Sequence, residues 1–589
     1  MVTLPAFNAA TEAEALNMLA GLYEHSPWVA REVLERRPFV SLAHLKYVCI
    51  KVLEESDDPD KIALIRAHPE LAGKAMANKS LTVESSNEQS KAGLTQCTTS
   101  ELELLKALNS EYFKKFGFPF ILAVRGPRGI GLQKSEIIRC FERRLVSSSE
   151  DEIRECVRNI HRIAELRLND IFGYTPTDGN SVWDKLEILA QHSDSGYKER
   201  GELSVTYLTD AHRACADKIQ ADMLAIGFDK VHIDAVGNVV GVYFSENIKA
   251  KTLLTGSHYD TVRNGGKYDG RLGIYVPMES VKNLVKEKIR LPFHIEVVAF
   301  SEEEGQRYKA TFLGSSALVG KFDPEWLLQK DADGITMKAA MSNAGLNFLD
   351  IPAIHRNPCD YLGFVEVHIE QGPVLNEIGL ALGVVTSING SVRYLGQALG
   401  TACHAGTTPM NQRSDAAVAV AELIIAMENC ATQADNLVAT VGQLTVPNGS
   451  INVVPGHCTF SLDMRAPTDN QRDALEAEVL RCIDVISSRR NVSFHLEETV
   501  RVAAAPSDPI WQNRWEKAVN KLGIPTHKMN SGAGHDSMKL HELMPQAMLF
   551  VRGQNRGISH NPLESTTSDD IQLAINAFNE LITQLRENY

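Results

Sequence analysis

Five positions in the C-terminal two-thirds of the sequence have the chemistry of metal ligands: His258, Asp269, one of the acids Glu302–Glu304, His368 and His560. Each follows a run of β-forming residues and stands close to Gly or Ser. His258 lies in Gly256-Ser257-His258-Tyr259-Asp260, and Asp269 comes eleven residues later in Gly266-Lys267-Tyr268-Asp269-Gly270. A His and an Asp placed this way can bind one ion and bridge it to a second, while Asp260 fixes the imidazole tautomer from the far ring nitrogen. The adjacent acids Glu302, Glu303 and Glu304 repel one another in an apolar setting unless a cation neutralises them. A lone histidine is usually a hydrogen-bonded structural residue. Five such ligands at strand ends are what an oxygen-and-nitrogen site for two divalent ions requires, and Zn²⁺ and Mn²⁺ both suit it.

A second polar set lies near the N-terminus: Arg66-Ala67-His68-Pro69-Glu70, then Ser85-Ser86-Asn87-Glu88-Gln89, then Glu165-Leu166-Arg167. Because the residue before proline is pushed out of the helical region, His68 is expected at a helix end, facing a pocket.

The elements that must position these groups change character along the chain. Residues 1–174 read as an all-α domain. Ser100 to Glu103 has the pattern of a capping box opening a stripe of Leu102, Leu105, Tyr112, Phe113 and Phe116, which Gly117 stops. Helical patterns over 41–55 and 150–171 carry Arg- and His-rich faces expected to point outward. Turn formers cluster from Gly173 to Asn180. After them, β-branched runs at 252–255 and 295–300 alternate with a helix over 272–287, the rhythm of an α/β sheet covered by helices. Residues 387–499 differ again, with alternating strands such as Cys458–Met464 and two long helices near 415–433 and 470–488. They predict an inserted two-layer α+β lid or dimerisation domain. The catalytic α/β domain then comprises 180–386 and 500–589.

The composition fits a globular protein, with 44% hydrophobic and 23% charged residues. A net charge of -14 opposes nucleic-acid binding. No window is apolar enough for a membrane span, the N-terminus lacks a basic signal region, and ten scattered cysteines without a CxxC pair read as reduced, mostly buried thiols. A cytoplasmic location is expected.

The ordered motifs GSHYDTV, GGKYDG, SEEEGQRY, EVHIEQGP, CHAGTTPMNQR, SINVVPG, DMRAP, SGAGHD and GISHNPLE resemble the M20 metallopeptidase-like amidohydrolases over residues 180–589. The likeness is to the branch of N-carbamoyl-L-amino-acid hydrolases, β-ureidopropionases and allantoate amidohydrolases. It implies two divalent metals, with His258 and His368 on one, Glu304 and His560 on the other, and Asp269 bridging. Glu303 takes the role of general base, counted back from Gly305. His404 and Asn452, from the insert, stabilise an oxyanion; Arg465 clamps a substrate carboxylate; Gln371 and the loop around Gly534 touch substrate. The resemblance also implies a homodimer through the lid, with His404 or Asn452 reaching the neighbouring subunit's site.

The N-terminal motifs, in turn, resemble OHCU decarboxylase, which converts 2-oxo-4-hydroxy-4-carboxy-5-ureidoimidazoline to S-allantoin. That likeness implies cofactor-free chemistry, with His68 as acid/base, Glu88 and Gln89 orienting the substrate, and Ser85 and Arg167 contacting it. Together the two resemblances imply small ureido substrates and a bifunctional enzyme of urate catabolism. It would make allantoin and hydrolyse allantoate to ureidoglycine, ammonia and CO2, a separate allantoinase acting between the steps. An N-carbamoyl-L-amino-acid hydrolase or related ureido hydrolase is the alternative for the second unit.

Overall fold

The computed structural model describes residues 2–71, 85, 88, 90, 92, 94 and 97–587. Its N-terminal part is helical, and among the described residues no strand precedes Lys230. The helix Thr99–Phe116 is capped two residues earlier than the sequence pattern suggests: Thr98 and Glu101 form the box, and Gly117 ends the helix with φ 76°. Its buried face is Leu105, Leu108, Asn109 and Tyr112, whereas Phe113 is half exposed, so the expected stripe is only partly the packed one.

A second difference concerns the helix Ser149–Phe172. Its His161, Arg162 and Arg167 are buried rather than outward-facing. Asp569 meets Arg162 at 2.7 Å, Lys46 at 2.8 Å and Asn169 at 2.8 Å, while Arg552 lies 3.3 Å from Glu165 and 2.9 Å from Asp570. Through Arg162, Glu165 and Asn169 this helix therefore forms an interface with the C-terminal part, while Arg167 and His161 pair within the N-terminal part.

The main sheet has nine strands: β1 (Lys230–Ile233), β2 (Val239–Tyr243), β3 (Thr252–His258), β4 (His294–Phe300), β5 (Tyr361–Ile369), β6 (Leu382–Ile388), β14 (Ala505–Pro506), β15 (His527–Ser531) and β16 (Gln546–Val551). Their order is β1-β2-β4-β3-β5-β16-β6-β14, with β15 beside β6. Within it β4, β3, β5 and β16 run parallel. Every residue of β4 and β16 is buried, because helices cover both faces of a parallel sheet. The helices Arg271–Glu287 and Ser568–Glu587 belong to that cover.

Between β6 and β14 a separate five-stranded sheet is built from β7 (Gly390–Leu399), β9 (Val438–Thr440), β10 (Leu444–Thr445), β12 (His457–Ala466) and β13 (Ser493–Val502). Burial alternates strictly along β12, whose inner face packs under the helices Ala416–Ala431 and Asp469–Arg490. A two-stranded piece joins β8 (Cys403–His404) to β11 (Val453–Val454).

Of the ten cysteines, four are buried; the other six are partly or fully exposed, which corrects the expectation of mostly buried thiols. Among the described residues no helix is long and apolar enough to cross a membrane.

Candidate active sites

The carboxyl ends of parallel strands are where an open α/β sheet gathers ligands. His258 is the last residue of β3, His368 is one residue from the end of β5, and Glu302–Glu304 follow β4. Asp269 reaches the same point from the turn before the helix Arg271–Glu287. That turn needs Gly270: its φ is 65°, and a Cβ there would come within 2.5 Å of the His258 ring.

Asp269 stands at the centre of the histidines. Its Oδ1 is 3.5 Å from His258 Nε2 and 3.3 Å from His368 Nε2, while its Oδ2 is 3.2 Å from His560 Nε2. His560 Nε2 is also 3.4 Å from Glu304 Oε1. The donor atoms thus fall into two groups sharing Asp269, one with His258 and His368 and one with Glu304 and His560, each within 4.8 Å. Glu303 adjoins this arrangement, grouped with His258 and Glu304.

Two observations fit a pair of divalent cations. First, the imidazoles are held from behind: His368 Nδ1 donates to the Ile369 carbonyl at 2.8 Å, and His258 Nδ1 lies 3.2 Å from the Asp260 carbonyl and 3.4 Å from its carboxylate. This fixes the Nε2 atoms as the ones facing Asp269. Second, Asp269 Oδ1 is buried and makes no hydrogen bond despite its two imidazole neighbours. Burial first, then the charges of Glu304, Asp536 and Asp260, pushes the Glu303 carboxyl well above the usual range against the pull of His258. Hydrogen bonds to Asp269 and Glu304 raise His560 to about 10.

Several members of this site had no individual role in the sequence reading. Glu564, pushed up to about 7 chiefly by burial, accepts from the backbone N–H groups of Tyr268 and Asp269 at 2.9 and 3.0 Å and so fixes the bridging residue. Glu366 accepts from Ser257 and Ser537, and the His535 ring packs 4.4 Å from that of His368. Of the loop expected against substrate, Gly532 and Gly534 are exposed while His535 and Asp536 are buried beneath. Gln371 does reach the cluster, donating to Asp269 Oδ2 at 2.9 Å.

The insert's residues stand apart. His404 and Asn452 are exposed on the β8–β11 piece, and among the described residues no hydrogen bond links either to the cluster. Arg465 makes a two-pronged contact with Asp463, at 3.0 and 2.9 Å, and donates to the Gly532 carbonyl at 2.7 Å.

The N-terminal pocket is differently built. His68 caps the helix Asp58–Ala67 in an extended conformation, and its Nδ1 donates to the Leu64 carbonyl at 2.9 Å, leaving the lone pair on Nε2. Burial lowers it to about 4, so the ring is neutral at pH 7. Arg167 forks onto Glu88 at 3.0 and 2.9 Å and approaches Ser85 Oγ at 3.4 Å. Glu24, with no recognisable local pattern, completes the set 3.5 Å from Arg167 and bonded to Ser85. His68, Ser85, Glu88 and Arg167 line one cavity with Phe120 and Ile121. Gln89 and the stretch 72–84 lie outside the described residues.

Comparison with known proteins matches a family to each of the two regions. The OHCU decarboxylase family matches residues 8–169, and peptidase family M20/M25/M40 matches residues 254–584. The chain is 36% identical over 409 residues to the N-carbamoyl-L-amino acid amidohydrolase of Geobacillus stearothermophilus, covering 69% of this chain and 99% of that protein. It is 34% identical to the allantoate deiminase of Arabidopsis thaliana, over 66% of this chain and 79% of the relative. A crystal structure of an amidase of the hydantoinase/carbamoylase family from Burkholderia multivorans superposes with a TM-score of 0.65 at 30% identity, covering 69% of this chain and 98% of that one. The chain is thus an enzyme that joins a lyase to an amidohydrolase, and it belongs to peptidase family M20/M25/M40, with an OHCU decarboxylase domain ahead of the hydrolase.

Proposed function

We propose that the two units catalyse two steps of urate breakdown, the first making S-allantoin from the ureidoimidazoline and the second hydrolysing allantoate to ureidoglycine, ammonia and CO2. The observation that carries this reading is the presence on one chain of a neutral His68 beside the Arg167–Glu88 fork and of the Asp269-centred cluster. Each is matched by a family whose chemistry handles a ureide.

In the decarboxylase pocket, His68 Nε2 exchanges a proton with the substrate, Arg167 holds its carboxylate or ring, and Ser85, Glu88 and Gln89 orient it. In the hydrolase, His258, His368 and Asp269 would hold one Zn²⁺ or Mn²⁺, and Asp269, Glu304 and His560 the other. Bound there, the pair would polarise the ureido carbonyl and acidify an attacking water. Glu303, whose carboxyl burial pushes upward, accepts the proton from that water and passes it to the leaving nitrogen. Gln371 and Gly534 border the substrate, and Arg465 exchanges its Asp463 partner for a substrate carboxylate. Residues 1–174 form the decarboxylase, 180–386 with 500–589 the hydrolase, and 387–499 a lid through which a homodimer forms. His404 and Asn452, exposed in one chain, stabilise the oxyanion in the partner subunit's site.

The 36% identity to an N-carbamoyl-L-amino acid amidohydrolase favours a second reading, in which the hydrolase acts on carbamoyl amino acids. Ammonia release by metal-loaded protein, measured on allantoate and on N-carbamoyl amino acids side by side, separates them. A kcat/KM higher for the carbamoyl amino acids would overturn the allantoate assignment.

A further inference from the structure

The two helices of the inserted domain bring three further donor atoms together, well outside either site described above. Cys430 lies in the last turn of the helix Ala416–Ala431, and Cys482 lies on the helix Asp469–Arg490 packed beside it. Their sulfurs are 4.0 Å apart. Glu478 precedes Cys482 by four residues, which puts both on one face of their helix, and its carboxylate joins the two sulfurs within 4.8 Å. All three side chains are partly exposed, so an ion can reach them. Cys49, Cys156, Cys215 and Cys458, by contrast, are buried as packing residues.

The spacing discriminates between fates for the thiols. A disulfide needs its sulfurs about 2.05 Å apart. Two Zn–S bonds of about 2.3 Å at a tetrahedral angle separate the sulfurs by about 3.8 Å, close to what is found. The donor set of two thiolates and one carboxylate is soft, unlike the imidazole and carboxylate donors around Asp269, and it selects Zn²⁺ over Mn²⁺, Mg²⁺ or Ca²⁺.

We propose that Cys430, Glu478 and Cys482 form a zinc site that clips the two lid helices together. On binding, both thiols lose their protons to solvent, the two sulfurs and a Glu478 oxygen bond the ion, and Glu478 leaves its present ion pair with Arg481. Water fills the remaining position. The clip joins residues 52 apart in sequence and stiffens the helical layer over β12.

Cobalt(II) is the probe, added to the full-length protein after chelator stripping and reduction with a phosphine. Because the donors around Asp269 are nitrogen and oxygen, a sulfur-to-cobalt charge-transfer band reports on a thiolate site alone. The band is expected to saturate at one thiolate-bound ion per chain, to vanish in Cys430→Ser and Cys482→Ser, and to need severalfold more cobalt in Glu478→Gln, a surface change that leaves the fold intact. Asp269→Asn should leave it unchanged. The site is overturned if the reduced protein gives no band, if the band survives Cys430→Ser, or if Glu478→Gln binds as tightly as the parent.

Discussion

In the N-terminal pocket the protein supplies a cation of its own: among the described residues Arg167 lies between Glu88 and Glu24, and burial keeps His68 neutral. At the strand ends of the C-terminal unit it does not. Asp260, Asp269, Glu302, Glu303, Glu304, Glu366, Asp536 and Glu564 crowd one buried region, and among the described residues none of them is paired with a Lys or Arg. Among the described residues the first site carries its cation in the Arg167 guanidinium, already paired with carboxylates. The second has an excess of buried negative charge that histidines can offset only by binding protons, at the pH where catalysis needs them free. A paired guanidinium at one site and uncompensated carboxylates at the other thus distinguish the two sites on the same chain.

The comparison breaks most directly under chelation. Removing divalent ions is expected to abolish ureido hydrolysis while decarboxylation continues at the parent rate, with both followed on the same sample. His68→Ala should give the mirror image: decarboxylation lower by roughly 10²–10⁴ and hydrolysis unchanged. Equal loss of both activities in either experiment would refute the division.

Within the hydrolase the contrast sharpens to neighbouring carboxylates. Glu303→Gln keeps shape but cannot accept a proton, so turnover should fall by roughly 10²–10⁴ with both ions retained. Glu304→Gln removes a charged donor that faces His560, so one ion should be lost with the activity. Metal content per chain, measured on both variants, decides the assignment. If Glu303→Gln loses an ion and Glu304→Gln keeps both, the base is one residue away.

How far these features could be read from sequence depended on the range of the contacts. His258, Glu302–Glu304 and His368 sit in short motifs at or just past strand ends, Asp269 sits instead in the turn before the helix Arg271–Glu287, and β12 shows its alternation without help from the rest of the chain. The cap of Thr99–Phe116 was ambiguous because Thr98/Glu101 and Ser100/Glu103 both have box spacing. Glu24 and Glu564 find their partners across 61 and 296 residues, with nothing local to mark them. The Arg and His face of Ser149–Phe172 has the periodicity of a solvated face, and only Asp569 and Arg552, some 400 residues on, turn it into an interface. His404 and Asn452 stand exposed, and among the described residues no hydrogen bond ties either to the cluster.

The smallest effect on turnover, and the largest on cohesion, is expected at that interface. Asp569 is buried between Lys46, Arg162 and Asn169. Burial alone would raise its carboxyl, but Lys46 and Arg162 hold it well below the usual carboxylate range. Asp569→Ala leaves the buried Arg162 and the half-buried Lys46 without their shared partner, a change that costs about 3–5 kcal/mol in comparable buried pairs, while neither site loses a group that touches substrate. The midpoint of thermal unfolding should therefore drop while kcat of each activity stays within about twofold. The pH dependence identifies the cause. A carboxyl depressed in the folded state contributes its full stabilisation above the unfolded value of about 3.9 and loses it as pH falls through the folded value. The gap between parent and Asp569→Ala should then be constant from about pH 5 to 8 and narrow below about pH 4. A gap that persists unchanged in acid would mean that packing, rather than the buried charge of Asp569, holds the two units together.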